Sequence, residues 1–240
     1  MKTVFITGSG RRLGRALAIK FAEKGWDIAL HYNTSKESAE STYNLIKKLG
    51  VNVSLVQFDL LDANQIKRGF EETFASHKNI SVLINNSAIY PKRARLYDTS
   101  VEDWDRVIDT NLRSIFISSK LFAERAKENS RIINIGCLSS IEVWRNRIPY
   151  NISKSGVLKL TEVLARELAP KITVNAINPG AIYIEGEPAI SESEVQLEKI
   201  PMGRYGKIED IFEVAHFFAT CTSYITGQYI NVDGGNHLVK

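Results

Sequence analysis

The sequence is poor in cysteine and histidine, and neither residue type forms a cluster. Cys137 and Cys221 are the only cysteines, and they stand far apart in segments that otherwise read as buried. This pattern predicts no disulfide framework and is typical of a protein of the reducing cytosol. The four histidines are never spaced i, i+4 or grouped with cysteine, so we expect no metal site.

Runs of like charge and long apolar runs are also missing. The 31 basic and 27 acidic side chains give a formal net charge of +4, without five or six like charges in a row. Nucleic acid is therefore not expected as a partner. No apolar run approaches about 18 residues, and the chain enters a β-branched run at once instead of a signal peptide. We expect a cytoplasmic protein without a membrane partner.

No composition shift and no linker rich in proline and glycine divides the chain, so we expect a single domain over residues 1–240. This length lies within the range of about 200–250 residues that large α/β domains reach. One long irregular stretch is present, at about 181–206. A loop of this length in a compact domain is usually functional, and we expect it to be the substrate loop.

Short apolar runs alternate with longer segments in which apolar residues recur at i, i+3/i+4 and i+7, the helical repeat. Apolar strands joined by helix-length connections predict a parallel sheet that is covered on both faces. The expected fold is therefore α/β, a single doubly wound Rossmann fold with a seven-stranded parallel sheet and helices on both faces. The predicted strands are 3–6, 27–32, 52–58, 81–84, 131–135, 171–177 and 228–232.

A glycine-rich turn, TGSGRRLG at 7–14, follows the first predicted strand. Gly8 permits a tight reversal, and Gly14 lets the following helix pack closely on the sheet. The amides at the start of that helix, near Arg12, would hold a pyrophosphate. Because the turn lies between the first strand and the first helix of a repeating chain, it predicts dinucleotide binding rather than an ordinary loop.

The residues after the second strand indicate which dinucleotide is bound. A carboxylate there would bind the ribose 2′-hydroxyl and repel a 2′-phosphate, but HYNTS at 31–35 contains none, and Asp27 opens the strand at its other end. We therefore predict NADPH in preference to NAD. The expected phosphate partners are neutral donors on Asn33, Thr34 and Ser35 and the guanidinium groups of Arg11 and Arg12.

Tyr150 and Lys154 form a Tyr-x-x-x-Lys pair inside a segment of helical period, which places both side chains on one helix face. A phenol with a pKa of about 10 is a poor proton shuttle at neutral pH, and a neighbouring ammonium favours its ionised form. By itself the spacing also fits an amphipathic helix with two exposed polar residues. Its meaning depends on the rest of the chain.

Together, the ordered motifs resemble the short-chain dehydrogenase/reductase family, and the resemblance covers essentially all 240 residues. The matching motifs are TGSGRRLG, Asp59 after the third strand, NNSA at 85–88, Asn111 in a long helix, Tyr150 with Lys154, and Pro179-Gly180.

The resemblance implies that Tyr150 donates a proton, Lys154 lowers its pKa and binds the nicotinamide ribose, and Asn111 holds a water in the proton relay. It also implies a homotetramer. Asp59 and Leu60 would flank the adenine, and Ile182 would contact the carboxamide. The residues expected to bind the cofactor are Gly8, Arg11, Arg12, Leu13, Asn33, Thr34, Ser35, Asp59, Leu60, Asn85, Ala88, Tyr150, Lys154, Pro179, Gly180 and Ile182.

One departure from the family pattern is Cys137, thirteen positions before the tyrosine, where the family usually has a serine that binds the substrate carbonyl. A thiol is a weak hydrogen-bond donor. Either Cys137 does this work poorly, or Ser139 or Ser140 replaces it, or the substrate needs no serine. Cys137 also fits a small buried packing residue at a strand end.

A second departure is Arg12, where many family members have glycine. The turn is similar to that of the pteridine reductase branch, in which the arginine reaches the pyrophosphate and the pterin. HYNTS, NNSAIYP and GQYINVDGGNHL are similar to that branch too, and Tyr90 and Trp144 could offer an aromatic surface. That branch usually has aspartate at the position of Cys137.

Three functions follow as hypotheses. The first is an NADPH-dependent reductase of a small carbonyl or imine compound, with pteridines among the candidates. The second is a 3-oxoacyl-[acyl-carrier-protein] reductase whose Lys92, Arg93 and Arg95 dock an acidic carrier. The third is a regulatory protein that binds NADPH without turnover, against which the presence of Tyr150 and Lys154 argues.

Overall fold

The computed structural model describes residues 2–186 and 196–239, which form a single seven-stranded parallel sheet between two layers of helices. The strands are β1 (Thr3–Ile6), β2 (Asp27–Tyr32), β3 (Val53–Gln57), β4 (Ile80–Asn85), β5 (Ser130–Ile135), β6 (Ile172–Pro179) and β7 (Tyr229–Val232). The helices are α1 (Arg12–Glu23), α2 (Lys36–Lys47), α3 (Ala63–Ser76), α4 (Val101–Ile108), α5 (Ser114–Arg125), α6 (Ile148–Leu168) and α7 (Ile208–Thr220). The predicted fold class is confirmed, and each predicted strand end lies within two residues of the observed one.

Successive residues of the central strand β1 enter different cores. Val4 and Ile6 pack with α1 and α7 on one face of the sheet. Phe5, between them, packs with Phe70 of α3 and Phe122 of α5 on the other face. Because both faces are covered, the consecutive residues Val4, Phe5 and Ile6 are all apolar instead of alternating with polar residues.

The winding direction of the sheet changes at β1, since its order is β3-β2-β1-β4-β5-β6-β7. Phe5 of β1 lies opposite Ala29 of β2 on one side and Leu83 of β4 on the other. In such sheets a crevice opens outside the carboxyl ends of the strands at the point of reversal, and ligands bind there.

Asn111 lies in a long helical segment, as the sequence predicts. Helix α4, a π-helical turn over Asp109–Arg113 and helix α5 follow one another without a break. Short π-helical turns inside helices are frequent at functional sites.

The stretch expected to be the substrate loop, 181–206, falls partly outside the described residues, which omit 187–195. Within the described part, Ile182 forms an isolated parallel bridge with Gly206. In residues 2–186 and 196–239 no helix combines the length and apolar character needed to cross a membrane.

Candidate active site

A cavity of about 1220 Å³ lies at the carboxyl ends of the strands, where the winding of the sheet reverses. Its lining comes from the segments that follow β1 to β6 and from the first two turns of α6. Most of the residues expected from sequence line it: Gly8, Arg11, Arg12, Leu13, Asn33, Thr34, Ser35, Asp59, Leu60, Ala88, Cys137, Tyr150, Lys154, Pro179, Gly180 and Ile182.

The glycine-rich turn has the close backbone packing that a phosphate cradle requires. Gly8 has a φ of +64°, and a Cβ at this residue would lie 2.5 Å from Oγ of Ser87. A Cβ at Gly14 would lie 2.3 Å from the carbonyl oxygen of Gly8. Both positions therefore require glycine, as the sequence predicts.

The start of α1 combines cationic side chains with uncapped amides. Arg11 precedes the helix without making a side-chain capping hydrogen bond, and the first turn contains no acidic residue. Arg12 has a φ of +53°, a left-handed conformation that glycine adopts at lower cost. Positive side chains at the positive end of a helix dipole are unfavourable alone, so this helix start is suited to an anion.

Two side chains hold the turn in place. His31 accepts a hydrogen bond from the amide of Gly8 at Nδ1 (2.9 Å), and its Nε2 lies 3.0 Å from the carbonyl oxygen of Phe58. Asn86 donates to the carbonyl oxygens of Thr7 (2.9 Å) and Gly8 (3.2 Å). Burial lowers the pKa of His31 to about 4, so the ring is neutral and Nε2 carries its proton.

The end of β2 offers no carboxylate to the cavity. Asn33, Thr34 and Ser35 line it there, whereas Asp27 lies at the other end of the strand and accepts a hydrogen bond from the amide of Asn52 (2.9 Å). The interpretation of Asp27 as a residue of the strand start is therefore confirmed. Among the described residues, the acidic side chain of the cavity wall is Asp59, which follows β3.

Asn85 was expected along the cofactor cleft, and the structure places it elsewhere. Its side chain is buried and donates to Oδ1 of Asn134 (2.9 Å) and Oγ of Ser119 (3.3 Å) inside the sheet and α5. Because strand residues alternate between the two faces, the neighbouring Asn86 reaches the turn instead.

Asn111 is also buried and does not line the cavity. Its Oδ1 accepts from the amide of Ile89 (2.8 Å), and its Nδ2 donates to the carbonyl oxygen of Ile89 (3.0 Å). The carboxamide therefore fixes the segment after β4 beside the cavity. Its role in a proton relay stays a prediction.

Tyr150 and Lys154 lie one helical turn apart in α6, as the sequence predicts, and both are buried. Lys154 donates from Nζ to the carbonyl oxygen of Ile135 (2.9 Å), and Nζ is 5.9 Å from the centroid of the Tyr150 ring. Burial lowers the pKa of Lys154 to about 8. Burial and the neighbouring Cys137 raise the pKa of Tyr150 well above its ordinary value, opposite to the sequence expectation.

Cys137 is the residue that faces Tyr150 from the end of β5. The two side chains share a hydrogen bond, and the backbone amide of Cys137 donates to Oδ1 of Asn178 (3.2 Å). Ser139 and Ser140, considered as replacements for a serine here, lie in the following 3₁₀ turn and do not line the cavity. A thiol therefore stands at the position where the family resemblance implies a serine hydroxyl.

Aromatic side chains and one arginine surround the Tyr150 phenol. The ring of Tyr90 meets it edge-on with centroids 4.9 Å apart, and Trp144 stacks at 6.2 Å. The guanidinium of Arg147 lies 4.0 Å from the centroid of Tyr90. The sequence motifs identified the two aromatic residues. They gave no signal for Arg147 or for the hydrogen bond by which His31 holds the glycine-rich turn.

The residues that follow β6 line the cavity and pack against the end of β7. Gly180 donates from its amide to the carbonyl oxygen of Val232 (2.9 Å), and a Cβ on Gly180 would lie 2.7 Å from Cα of Asp233.

Residues 2–186 and 196–239 contain no cluster of side chains suited to a metal ion.

Comparisons with known proteins agree with this geometry. A family model described as Enoyl-(Acyl carrier protein) reductase matches residues 8–237. The 3-oxoacyl-[acyl-carrier-protein] reductase FabG of Staphylococcus aureus is 35% identical over 99% of this chain and 98% of its own length. A short-chain dehydrogenase/reductase from Serratia marcescens superposes with a TM-score of 0.92 at 31% identity, over 98% of both chains. A blue fluorescent protein from a metagenomic library, solved with NADPH, superposes with a TM-score of 0.91 at 29% identity, over 98% of this chain and 97% of its own.

The parallel sheet, the glycine-rich turn and the paired tyrosine and lysine define an oxidoreductase of the Rossmann type. The family match and the curated relative at 35% identity make the assignment more specific. The chain belongs to the short-chain dehydrogenase/reductase family. The resemblance to its pteridine reductase branch is not confirmed, since the relatives compared above carry other names.

Proposed function

We propose that this protein is an NADPH-dependent reductase of 3-oxoacyl thioesters. The observation that carries the proposal is the position of Tyr150, Lys154 and Cys137 on the wall of the same cavity onto which the glycine-rich turn opens. A dinucleotide that lies with its phosphates at this turn and its nicotinamide near Tyr150 would share the cavity with a carbonyl substrate.

The cavity has the chemistry that NADPH requires. The turn at Gly8 and the start of α1 would hold the pyrophosphate, and Arg11 with Asn33 to Ser35 would bind the 2′-phosphate. The absence of a carboxylate from 31–35 supports this choice of cofactor. So does the structural neighbour that was solved in complex with NADPH.

When bound, NADPH supplies the hydride. The Tyr150 phenol donates the proton that the carbonyl oxygen needs as negative charge develops on it. Lys154 would hold the nicotinamide ribose, and its ammonium stabilises the phenolate that remains after proton transfer. Cys137 contributes a weak donor to the same oxygen.

The substrate class rests on the curated relative and on charge. FabG of Staphylococcus aureus is named as a 3-oxoacyl-[acyl-carrier-protein] reductase. In this chain Arg93 lines the cavity, and Lys92 and Arg95 beside it are exposed. These cations would favour an acyl thioester that is presented on an acidic carrier.

Steady-state oxidation of NADPH tests the proposal. An acetoacetyl thioester, a dihydropterin and a quinonoid compound would each be supplied to the parent protein and to Tyr150→Phe. We expect turnover of the acetoacetyl thioester with the highest kcat/KM, and its loss in the variant. Preferential turnover of the dihydropterin would contradict the substrate class while leaving the reductase chemistry in place.

Failure of the parent protein on every carbonyl compound, with NADPH still bound, would contradict the proposed reaction. Cofactor binding is followed separately by the fluorescence of NADPH. This separates a protein that binds the cofactor without turnover from one that has lost its fold.

A further inference from the structure

Arg147 is a buried arginine that belongs to none of the sequence motifs. It is 5% exposed and lies three positions before Tyr150, directly before the first residue of α6. Removing a charge from water costs free energy, so a buried guanidinium needs partners that hold it. Two of its partners, Tyr90 and Pro91, belong to the segment after β4, and Tyr90 lines the active-site cavity.

Arg147 fastens the segment after β4 to the start of α6. Its Nη1 donates a hydrogen bond to the carbonyl oxygen of Pro91, and its guanidinium lies over the Tyr90 ring, 4.0 Å from the ring centroid. Beside this contact, the amide of Ala94 donates to the carbonyl oxygen of Asn146 (3.0 Å). Arginine is suited to this task because its planar group can stack and donate hydrogen bonds at once.

Tyr90 connects this arrangement with Tyr150. The two rings meet at 83° with their centroids 4.9 Å apart, the edge-on geometry that aromatic pairs prefer. Tyr90 is 48% exposed, so the guanidinium supports a ring that is otherwise open to the cavity. Loss of that support would remove one of the contacts that fix the Tyr90 ring and would loosen the packing of the Tyr150 phenol.

Titratable and charged groups lie around Tyr150. Among the residues that the structure describes, Cys137, Tyr90, Arg147 and Lys154 contact it or act on its pKa. The pKa of Lys154 is lowered to about 8, so its charge fades in mildly alkaline solution, whereas the guanidinium of Arg147 keeps its charge. The positive charge of Arg147 opposes the upward shift that burial imposes on the pKa of Tyr150.

We propose that Arg147 is a positioning residue for the reaction, which seats Tyr90 against Tyr150 and keeps a permanent positive charge close to the phenol. The proposal rests on the proposed function in one respect only, namely that Tyr150 exchanges a proton with the substrate.

The test uses Arg147→Met, which keeps the length of the side chain without its charge, and Arg147→Lys, which keeps the charge without the planar group. Oxidation of a 3-hydroxybutyryl thioester by NADP⁺ requires the phenolate, so at pH values below the pKa of Tyr150 kcat rises with pH in proportion to the phenolate fraction. We expect Arg147→Met to lower kcat about tenfold and to move this rise upward by about one pH unit. Arg147→Lys should lower kcat and keep the parent pH profile, and KM for NADP⁺ should stay unchanged in both variants.

A matched control is Arg125→Met, because Arg125 also lies over an aromatic ring, that of Phe74 at 5.7 Å, but outside the cavity. It should change neither kcat nor the pH profile. An unshifted profile in Arg147→Met, or a change confined to KM for the thioester, would overturn the proposal. If Arg147→Met does not fold, an upward shift in Arg147→Lys overturns it as well.

A second readout does not depend on turnover. The tyrosinate absorbance of the parent protein and of Arg147→Met is recorded against pH, each relative to the same protein with Tyr150→Phe. A smaller Tyr150 phenolate fraction in Arg147→Met, at alkaline pH values at which the parent protein shows tyrosinate and circular dichroism shows an intact fold, supports the proposal, and equal fractions at those pH values contradict it. An inactive parent protein with this difference present would disprove the proposed function and leave the inference on Arg147 standing.

Discussion

The amide of Gly8 donates a hydrogen bond of 2.9 Å to Nδ1 of His31, which ties the glycine-rich turn to the end of β2. The ring stacks on Phe58 with centroids 3.9 Å apart, and its Nε2 lies 3.0 Å from the carbonyl oxygen of the same residue. Protonation of Nδ1 would break the bond to the turn, since a protonated nitrogen cannot accept. The turn therefore depends on a neutral imidazole.

This dependence predicts a loss of stability in mild acid. The unfolded chain binds a proton on His31 below its ordinary pKa of 6.5, whereas the folded protein does so only near 4, so stability falls as the pH drops through this interval. We expect His31 to lower the free energy of unfolding by about 2 kcal/mol between pH 7 and pH 5. Urea unfolding of the parent protein and of His31→Gln at both pH values measures it. Identical pH dependence in the two proteins would contradict the prediction, since the buried His77 contributes equally to both.

Arg11→Ala should weaken the binding of NADPH more than that of NADH. The loss of a charged hydrogen bond to the 2′-phosphate corresponds to about 1–3 kcal/mol. Fluorescence titration with both cofactors measures the difference, and Arg15→Ala, in the exposed part of the same helix, is the control. Equal affinity of the parent protein for NADPH and NADH would disprove the preference.

Tyr150→Phe should lower turnover at least about a hundredfold and leave the affinity for NADPH almost unchanged, because the ring stays and only the transferable proton is lost. Steady-state kinetics and cofactor titration measure the two effects separately. Tyr224→Phe, at a residue 96% exposed and outside the cavity, should have no effect. Full activity of Tyr150→Phe would refute the mechanism.

Cys137→Ser should raise kcat on the acetoacetyl thioester several-fold, since a hydroxyl gives the developing oxyanion a stronger hydrogen bond than a thiol does. Cys221→Ser is the control for loss of a thiol elsewhere. Higher activity of Cys137→Asp on dihydropterins would instead favour the pteridine branch. If no substitution at 137 changes the rate on any substrate, Cys137 is only a packing residue.

The protein should form a homotetramer. Half-exposed apolar side chains lie on α5 and α6, among them Phe116, Ile152 and Val163, and helices of this kind pair around two-fold axes. Light scattering should give four times the chain mass of 27.0 kDa, and Phe116→Arg should reduce it. Leu45→Arg, on α2, should leave the mass unchanged. A species of 27.0 kDa at micromolar concentration would contradict the prediction.

The sheet and the turn could be predicted because their signals are local. A parallel strand that is covered on both faces is mostly apolar, as VFI at 4–6 is, and a phosphate turn must have glycine where a Cβ would meet backbone, as at Gly14. These requirements depend on a few consecutive residues. They therefore appear in the sequence without knowledge of the tertiary structure.

The missing parts of the site depend on contacts between distant segments. Asn85 turns into the sheet toward Asn134, and Arg147 is held by Tyr90 and Pro91, which lie more than fifty residues earlier. An arginine near a helix start gives no sign in the sequence that it will be buried. The π-helical turn at Asn111 likewise depends on how its carboxamide meets the backbone of Ile89.

The backbone conformation and the side chain of Arg12 have opposite consequences for the protein. Its left-handed backbone, with a φ of +53°, costs about 1–2 kcal/mol that glycine would not, while its side chain lines the cavity. A screen of variants for heat resistance alone would therefore favour glycine here and discard the guanidinium together with the strain. The proposed contact of Arg12 with the phosphates of the cofactor would compensate for this conformational cost in the bound protein.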